Sequence, residues 1–260
     1  MTITLQVFIF IFGIIVGSFI NAVLWRLRTK ESFVFGRSYC PRCQHELSAW
    51  DLLPLLSYLL LQGRCRYCRH KISWSYFIIE LVMGVMFLLA AQRLLPPDLL
   101  QLSADSLSRL LLTWYLLAIL TVVFVFDLRY MLILRSVTLP AAILAALANL
   151  SLGMSWQKIV LGVLVCAGFF WLQRVLSGGR WIGGGDVQLG ILMGAALGFP
   201  IVLVAMFLSY IVGAVFGVAL LSLQRKGWKS ELPFGTFLSA ATAVCLLYGQ
   251  QIINWYFGLM

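Results

Sequence analysis

The sequence predicts an all-α, polytopic membrane protein: about eight transmembrane helices with one small cytoplasmic loop domain. Three observations lead there. Of the 260 residues, 62% are hydrophobic and 11% charged, whereas a soluble domain is nearer a quarter charged. Mean hydropathy is +0.98. Apolar runs recur from end to end, most near the roughly 20 residues that span a bilayer as helix, and the only sizeable polar region is 26–73.

The apolar segments fall at about 3–25, 74–95, 108–126, 132–152, 157–177, 186–198, 200–223 and 235–256. The first lacks a basic leader and a small-residue cleavage site, so it reads as a retained helix. The sixth is short for a span, and Gly198-Phe199-Pro200 breaks it from the seventh. The organisation is therefore a first transmembrane helix (1–25), a four-cysteine loop (26–73) and a membrane core of about seven helices (74–260). No low-complexity segment and no internal repeat stand out.

The formal charge of +10 invites a nucleic-acid partner, but the placement of the charges argues against one. Nine of the nineteen Lys/Arg lie between Arg26 and Lys71, and Arg129, Arg135, Arg180, Arg225, Lys226 and Lys229 sit in or beside the third, fifth and seventh connections. The other connections carry Asp98, Asp105 and little basic charge. This is the positive-inside pattern. It places the odd-numbered loops in the cytoplasm and both termini outside, and explains the basic excess by topology and phospholipid contact.

Cys166 and Cys245 lie inside apolar runs and read as small core residues. Cys40-Pro-Arg-Cys43 and Cys65-Arg-Tyr-Cys68 are two C-x2-C knuckles in one polar loop. Two knuckles can present four thiolates to one tetrahedral ion, zinc being the usual choice. In a reducing cytoplasm metal binding is favoured over disulfides. Four thiolates fill the coordination sphere, so the metal would be structural, folding a loop too small for its own core. His45 and His70 flank the knuckles and read as solvated neighbours.

Glu80, Asp127 and Asp186 are the acids set at the start, end or interior of apolar segments. Such charges are costly unless paired, hydrated or used. Asp127 closes the run from Leu117 to Phe126. Asp186 follows Gly183-Gly184-Gly185 and opens its own run. Alone, Asp186 reads equally as a helix cap, and Asp127 as an interfacial residue beside Arg129. By topology they share one face and a similar depth, which suits a catalytic pair. One ionised aspartate takes a proton from water while the other, protonated, donates to an amide carbonyl; two close carboxylates share that proton. Helix polarity favours the anion at Asp186, at a helix N-terminus, and the neutral acid at Asp127 if its helix stops there. Gly183 and Gly185 would let an extended peptide approach the backbone. Glu80 is a candidate for cation or amine binding, or a polar contact that holds the loop or the helices in place.

These residues resemble the type IV prepilin peptidases, membrane aspartyl proteases with a G-x-G-D motif. Gly183-Gly184-Gly185-Asp186 is similar to the second catalytic motif, and Asp127-Leu-Arg, running on to Leu139-Pro140, to the first. Gly17-Ser-Phe-Ile-Asn21 with Arg26, the cysteine loop with Pro54 and Ser57-Tyr58, Ile79-Glu80-Leu81 and Pro233-Phe234-Gly235 resemble further motifs, in order along nearly the whole chain. The resemblance implies an enzyme of the bacterial inner membrane with its active site on the cytoplasmic side. Its substrates would be type IV prepilins or type II secretion pseudopilins, cut after a glycine just before their hydrophobic helix. It also implies N-methylation of the new terminus with S-adenosylmethionine, whose site would lie in the cytoplasmic loop and adjacent helix ends. The chain departs from the pattern at Ile133-Leu134-Arg135, Gln188 and Thr236, the last standing where proline is common. An ion transporter or channel with intramembrane acids is the alternative reading, but its acids would be expected at mid-bilayer and not near one face.

Overall fold

The computed structural model describes residues 2–32, 36–98, 101–223 and 232–258. It is all-helical, and eight of its helices correspond to the eight apolar segments: α1 (Ile3–Thr29), α3 (Trp74–Leu94), α4 (Ala104–Tyr130), α5 (Arg135–Ser151), α6 (Trp156–Leu176), α7 (Gly184–Leu197), α8 (Ile201–Ser222) and α9 (Phe234–Gly258). A one-turn helix α2 (Leu56–Leu60) lies in the polar loop. Six of the eight are long and apolar enough to cross a membrane; α5 and α7 are shorter. Phe8, Leu164 and Phe207 are among many large apolar side chains left exposed along the long helices, as a lipid-facing surface requires.

Helix ends extend beyond the apolar runs where local chemistry allows. α1 continues through Arg26 and Arg28 until Lys30 adopts φ +60 and turns its N–H back to the Arg26 carbonyl. The Ser103 hydroxyl caps α4 by accepting the Ser106 N–H at 3.1 Å. α4 then runs on past Asp127 until Met131, at φ +51, ends it.

The chain divides into two compact units, Met1–Leu110 and Leu111–Met260. In the first, α1 packs on α3. Gly13 and Gly17, one helical turn apart, let the two backbones meet: a Cβ at Gly17 would lie 2.7 Å from the Glu80 Cα, and one at Gly13 2.8 Å from the Gly84 Cα. Small residues spaced this way are how helices approach closely in lipid.

The second unit is built around α7. At 14 residues it is about 21 Å long by the helical rise, too short for the bilayer core. It does not need to reach across. From Leu189 to Leu197 all but one residue is buried, packed by α5, α6, α8 and α9. A helix that is apolar on every face belongs inside protein. Its C-terminal carbonyls would otherwise be orphaned; the Asn149 side chain donates to those of Ala195 and Ala196 at 2.9 and 3.1 Å. Gly198, at φ +66, then ends the helix, where the sequence predicts a break.

The tightest contact is α6 on α7, where a Cβ at Gly194 would collide with the Gly162–Val163 backbone. Overpacking of this kind costs about 1–3 kcal/mol, and more where the obstacle is main chain. Gly194→Val should therefore lower the unfolding midpoint of the detergent-purified protein by several degrees, read by thermal scanning. An unchanged midpoint would mean that α6 and α7 do not approach this closely.

Candidate functional site

Asp127 lies in the last turn of α4 and is 4% exposed; Asp186 is the third residue of α7 and is 9% exposed. At that burial Asp127 does not face headgroups. Asp186 is not the cap residue itself. Gly183 occupies that position, and its N–H donates to Asp186 Oδ2 at 3.0 Å. This is the acid half of a capping box, a carboxylate reaching back to satisfy an orphan donor.

Asp127 is held from far away in sequence. The Thr236 N–H donates to Asp127 Oδ2 at 2.8 Å, and the Gly235 N–H also donates to this carboxylate. Both donors belong to the first turn of α9, where N–H groups lack intrahelical partners. A Cβ at Gly235 would sit 2.9 Å from Asp127 Oδ2 and 2.7 Å from Ile133 Cδ1; a Cβ at Gly185 would sit 2.7 Å from Ile133 Cβ. Ile133 is thus wedged between the glycine beside Asp127 and the glycine preceding Asp186. Three segments converge here, 127–133, 183–186 and 233–236, and the charge of Asp127 acts on Asp186.

The three glycines before Asp186 are bare for separate reasons. Arg174 overlies Gly184, and Ile133 fills the space beside Gly185. Gly183 stays exposed, with only Asp186 Oδ2 and the Gly185 nitrogen within 4 Å of where a Cβ would stand. The close neighbour of Gly185 is therefore this chain's own isoleucine.

Helix polarity does not separate the two aspartates as the sequence suggests. The C-terminal end of α4 favours a neutral Asp127, but α4 does not stop there, and the first turn of α9 donates to the same carboxylate. Each aspartate sits at a helix N-terminus, Asp186 at that of its own helix and Asp127 at that of another. Among the departures from the family pattern, Ile133 and Thr236 are direct parts of this arrangement. Gln188 is not; its buried Oε1 has no hydrogen-bond partner among the described residues.

In the first unit the four cysteine sulfurs lie within 4.8 Å of one another, with Cys40 and Cys68 Sγ 3.9 Å apart. Sulfurs at about 2.3 Å from a tetrahedral ion stand about 3.8 Å apart, so the donor set fits zinc. The two knuckles share one construction. The Cys40 N–H donates to the His45 carbonyl at 3.0 Å and the Gln44 N–H to the Cys40 carbonyl at 2.8 Å; Cys65 with His70 and Arg69 with Cys65 repeat this at 2.9 and 3.0 Å. Gln44 and Arg69 take the same left-handed turn, at φ +57 and +58. This is a short internal repeat, C-x2-C-x-H, in Cys40–His45 and Cys65–His70, that the sequence reading overlooks. The histidines serve it through their backbone carbonyls. The imidazole of His45 instead packs against Tyr67, ring centroids 3.6 Å apart and planes tilted by 37°.

Asp51 ties the stretch between the knuckles to the second one. It accepts from Arg66 Nε at 2.6 Å, Tyr67 Oη at 3.1 Å and the Ser48 hydroxyl at 2.8 Å. Burial pushes its carboxyl up, but these donors outweigh that and hold it at about 2. Glu80, in α3, accepts the Leu55 N–H at Oε2, 2.8 Å. Leu55 is at φ +60 and ψ −50, a conformation non-glycine residues avoid.

Residues 11–94 match the Bacterial Peptidase A24 N-terminal domain, and residues 114–218 match the Type IV leader peptidase family. The chain is 32% identical to a prepilin leader peptidase/N-methyltransferase of Aeromonas salmonicida, over 95% of this chain and 92% of that one. It is 33% identical to the protein of that name from Bacillus subtilis, over 95% and 96%, and 31% to that of Pseudomonas aeruginosa, over 94% and 90%. No solved structure matches it. With four converging cysteines inside one matched region and two converging aspartates inside the other, the chain belongs to the type IV prepilin leader peptidase family.

Proposed function

We propose that this multi-pass membrane protein is an aspartic endopeptidase that removes the leader of type IV prepilins or pseudopilins, with Asp127 and Asp186 as its catalytic pair. The observation that carries the reading is the convergence of two buried aspartates from separate helices, each held by backbone N–H groups at a helix start. The Thr236 and Gly183 bonds commit Oδ2 of each carboxylate to positioning. The ionised member takes a proton from water as the water attacks the scissile carbonyl carbon, and the protonated member donates to the carbonyl oxygen. Collapse of the tetrahedral adduct returns a proton to the leaving amine. Gly183, exposed beside Asp186, is where an extended substrate backbone would approach; Gly185 acts by admitting Ile133.

The basic loops support a position for this pair on the cytoplasmic side of the bacterial inner membrane, which suits a scissile bond at the start of a substrate's membrane helix. Cys40, Cys43, Cys65 and Cys68 would hold a structural zinc ion, which supplies folding energy to the loop and leaves no open coordination position. The relatives' shared name includes N-methyltransferase, and methylation of the new N-terminal amine with S-adenosylmethionine is the second activity proposed.

Incubating the purified protein with a prepilin, with and without S-adenosylmethionine, should yield a product lighter by the leader and, with the donor, heavier by one methyl group. Asp127→Asn and Asp186→Asn should each reduce leader removal by at least about 10²-fold while the protein still inserts and unfolds like wild type. Full-rate cleavage by either variant would remove that aspartate from the mechanism. Elemental analysis should find one zinc per chain. Cys40→Ser should lose it and open the 36–73 loop to proteolysis, whereas a zinc-free variant with a protected loop would rule out the structural metal.

A further inference from the structure

The middle of the four-cysteine loop is not polar. From Trp50 to Leu61 only Asp51, Ser57 and Tyr58 interrupt a run of leucines and one proline. Within the first compact unit this stretch carries α2, and its sides are reversed for water. Ser57, Tyr58 and Leu61 line the interior cavity of the unit. Leu56, Leu59 and Leu60, spaced i, i+3 and i+4 so that they share one face, are exposed, Leu60 at 80%. Trp50, Leu52 and Leu53, just before them in the chain, are exposed as well. So much bare apolar surface in a loop marks a contact surface.

Three contacts fix where this face stands along α3. The Leu55 N–H, immediately before α2, donates to Glu80 Oε2 at 2.8 Å. The Tyr58 ring packs against Trp74 and Phe77, centroids 5.7 and 5.6 Å apart. The Tyr58 hydroxyl donates to the Ile72 carbonyl at 3.2 Å. α3 begins at Trp74 and is long and apolar enough to cross a membrane. Glu80 lies six residues inside it, about 9 Å along by the helical rise. α2 therefore stands beside the first two turns of a spanning helix, not out in the solvent beyond it. Trp74 and Ile78, on those turns, are exposed too. The lipid-facing surface of α3 and the apolar face of α2 thus begin at one level. Arg64, Arg69 and Lys71, which follow α2 in the chain, are exposed. Tryptophans and leucines followed by cations are the composition of a membrane–water boundary.

We infer that Trp50–Leu61 is an interfacial membrane element, with α2 lying between headgroups and acyl chains and Leu56, Leu59 and Leu60 among the lipid tails. The occupant of this face is the phospholipid bilayer. The adjoining turns of α3 are lipid-facing at the same level, so a partner protein would have to enter the edge of the bilayer to reach it. An amphipathic segment at this boundary buries its apolar face while its polar side stays out of the tails, and here the polar side is turned into the unit. The Leu55–Glu80 bond satisfies a backbone donor that lipid cannot, and it pins the element at its depth on α3. The two knuckles flank this element in the chain. Lipid contact therefore holds the four-cysteine cluster at the bilayer surface and keeps the loop from swinging free in water.

The test uses the full-length protein in vesicles of phosphatidylethanolamine and phosphatidylglycerol. The photoreactive residue p-benzoylphenylalanine replaces Leu60, Leu164 or Arg42, one at a time, and the irradiated protein is digested and weighed. Leu164 is exposed on α6 and Arg42 between the first pair of cysteines, so they serve as the lipid-facing and water-facing references. The probe at Leu60 should give phospholipid adducts at a yield near that of Leu164 and at least about fivefold above that of Arg42. A yield no higher than at Arg42 places α2 in water and overturns the inference. Linkage of the Leu60 probe mainly to another peptide, of this chain or of a second copy, means that protein covers the face, and also overturns it. A second arm moves the probe to Leu59. Leu56→Glu with Leu60→Glu, changes that an aqueous surface tolerates, should lower its lipid yield at least about fivefold, while Leu56→Ile with Leu60→Ile leaves it unchanged. An undiminished yield in the acidic variant would mean that this face does not make the contact.

Discussion

The arrangement of the second unit depends on one hydrogen-bonded contact, the capture of the Asp127 carboxylate by the first turn of α9. The bond from Thr236 spans 109 residues of chain. A helix N-terminus in a membrane protein exposes N–H groups that lipid cannot satisfy, and a buried carboxylate requires donors. Each solves the other's problem. The contact fixes the end of α4 against the start of α9, and with it Ile133, which in turn abuts Gly185. Asp186 is placed by the same logic on a shorter scale, through Gly183. The pair is therefore assembled by backbone donors at two helix starts, and side-chain packing at Ile133 joins the halves.

The remainder of that unit serves to keep α7 where its first turn is useful. A helix too short to cross a bilayer can begin inside it only if other helices surround it and its ends are satisfied. Glycine-lined contact with α6, the amide of Asn149 at the C-terminus and the Asp186–Gly183 bond at the N-terminus meet those needs. The functional aspartate is thus carried on one of the most buried elements of its unit, not on a loop, which is the more rigid way to build a site.

Much of this was legible in the sequence because hydrophobicity and charge in a membrane chain are strongly patterned. All eight long or apolar helices, the break at Gly198 and the pairing of two C-x2-C knuckles follow from composition and spacing. Asp127 and Asp186 stand out because an acid bordering an apolar run is conspicuous. What was not legible depends on distant contacts. Nothing local to Thr236 says that its N–H meets Asp127, and Ile133 looks like any apolar residue in a turn. Helix polarity assigned opposite protonation preferences to the two aspartates because it considered only their own helices; α9 supplies a second dipole to Asp127. The repeated C-x2-C-x-H was present in the letters but hidden by unlike intervening residues, and it emerges from the matching backbone bonds.

The central claim is that the end of α4 and the start of α7 meet at their aspartates. It is tested most directly by placing cysteine at both positions, Asp127→Cys with Asp186→Cys, and treating the purified protein with a short bifunctional thiol reagent. Digestion and mass spectrometry should recover a linked peptide joining the two segments, absent from either single variant. If both thiols react singly with a monofunctional reagent yet no linked peptide forms, the two positions are not together and the account is wrong.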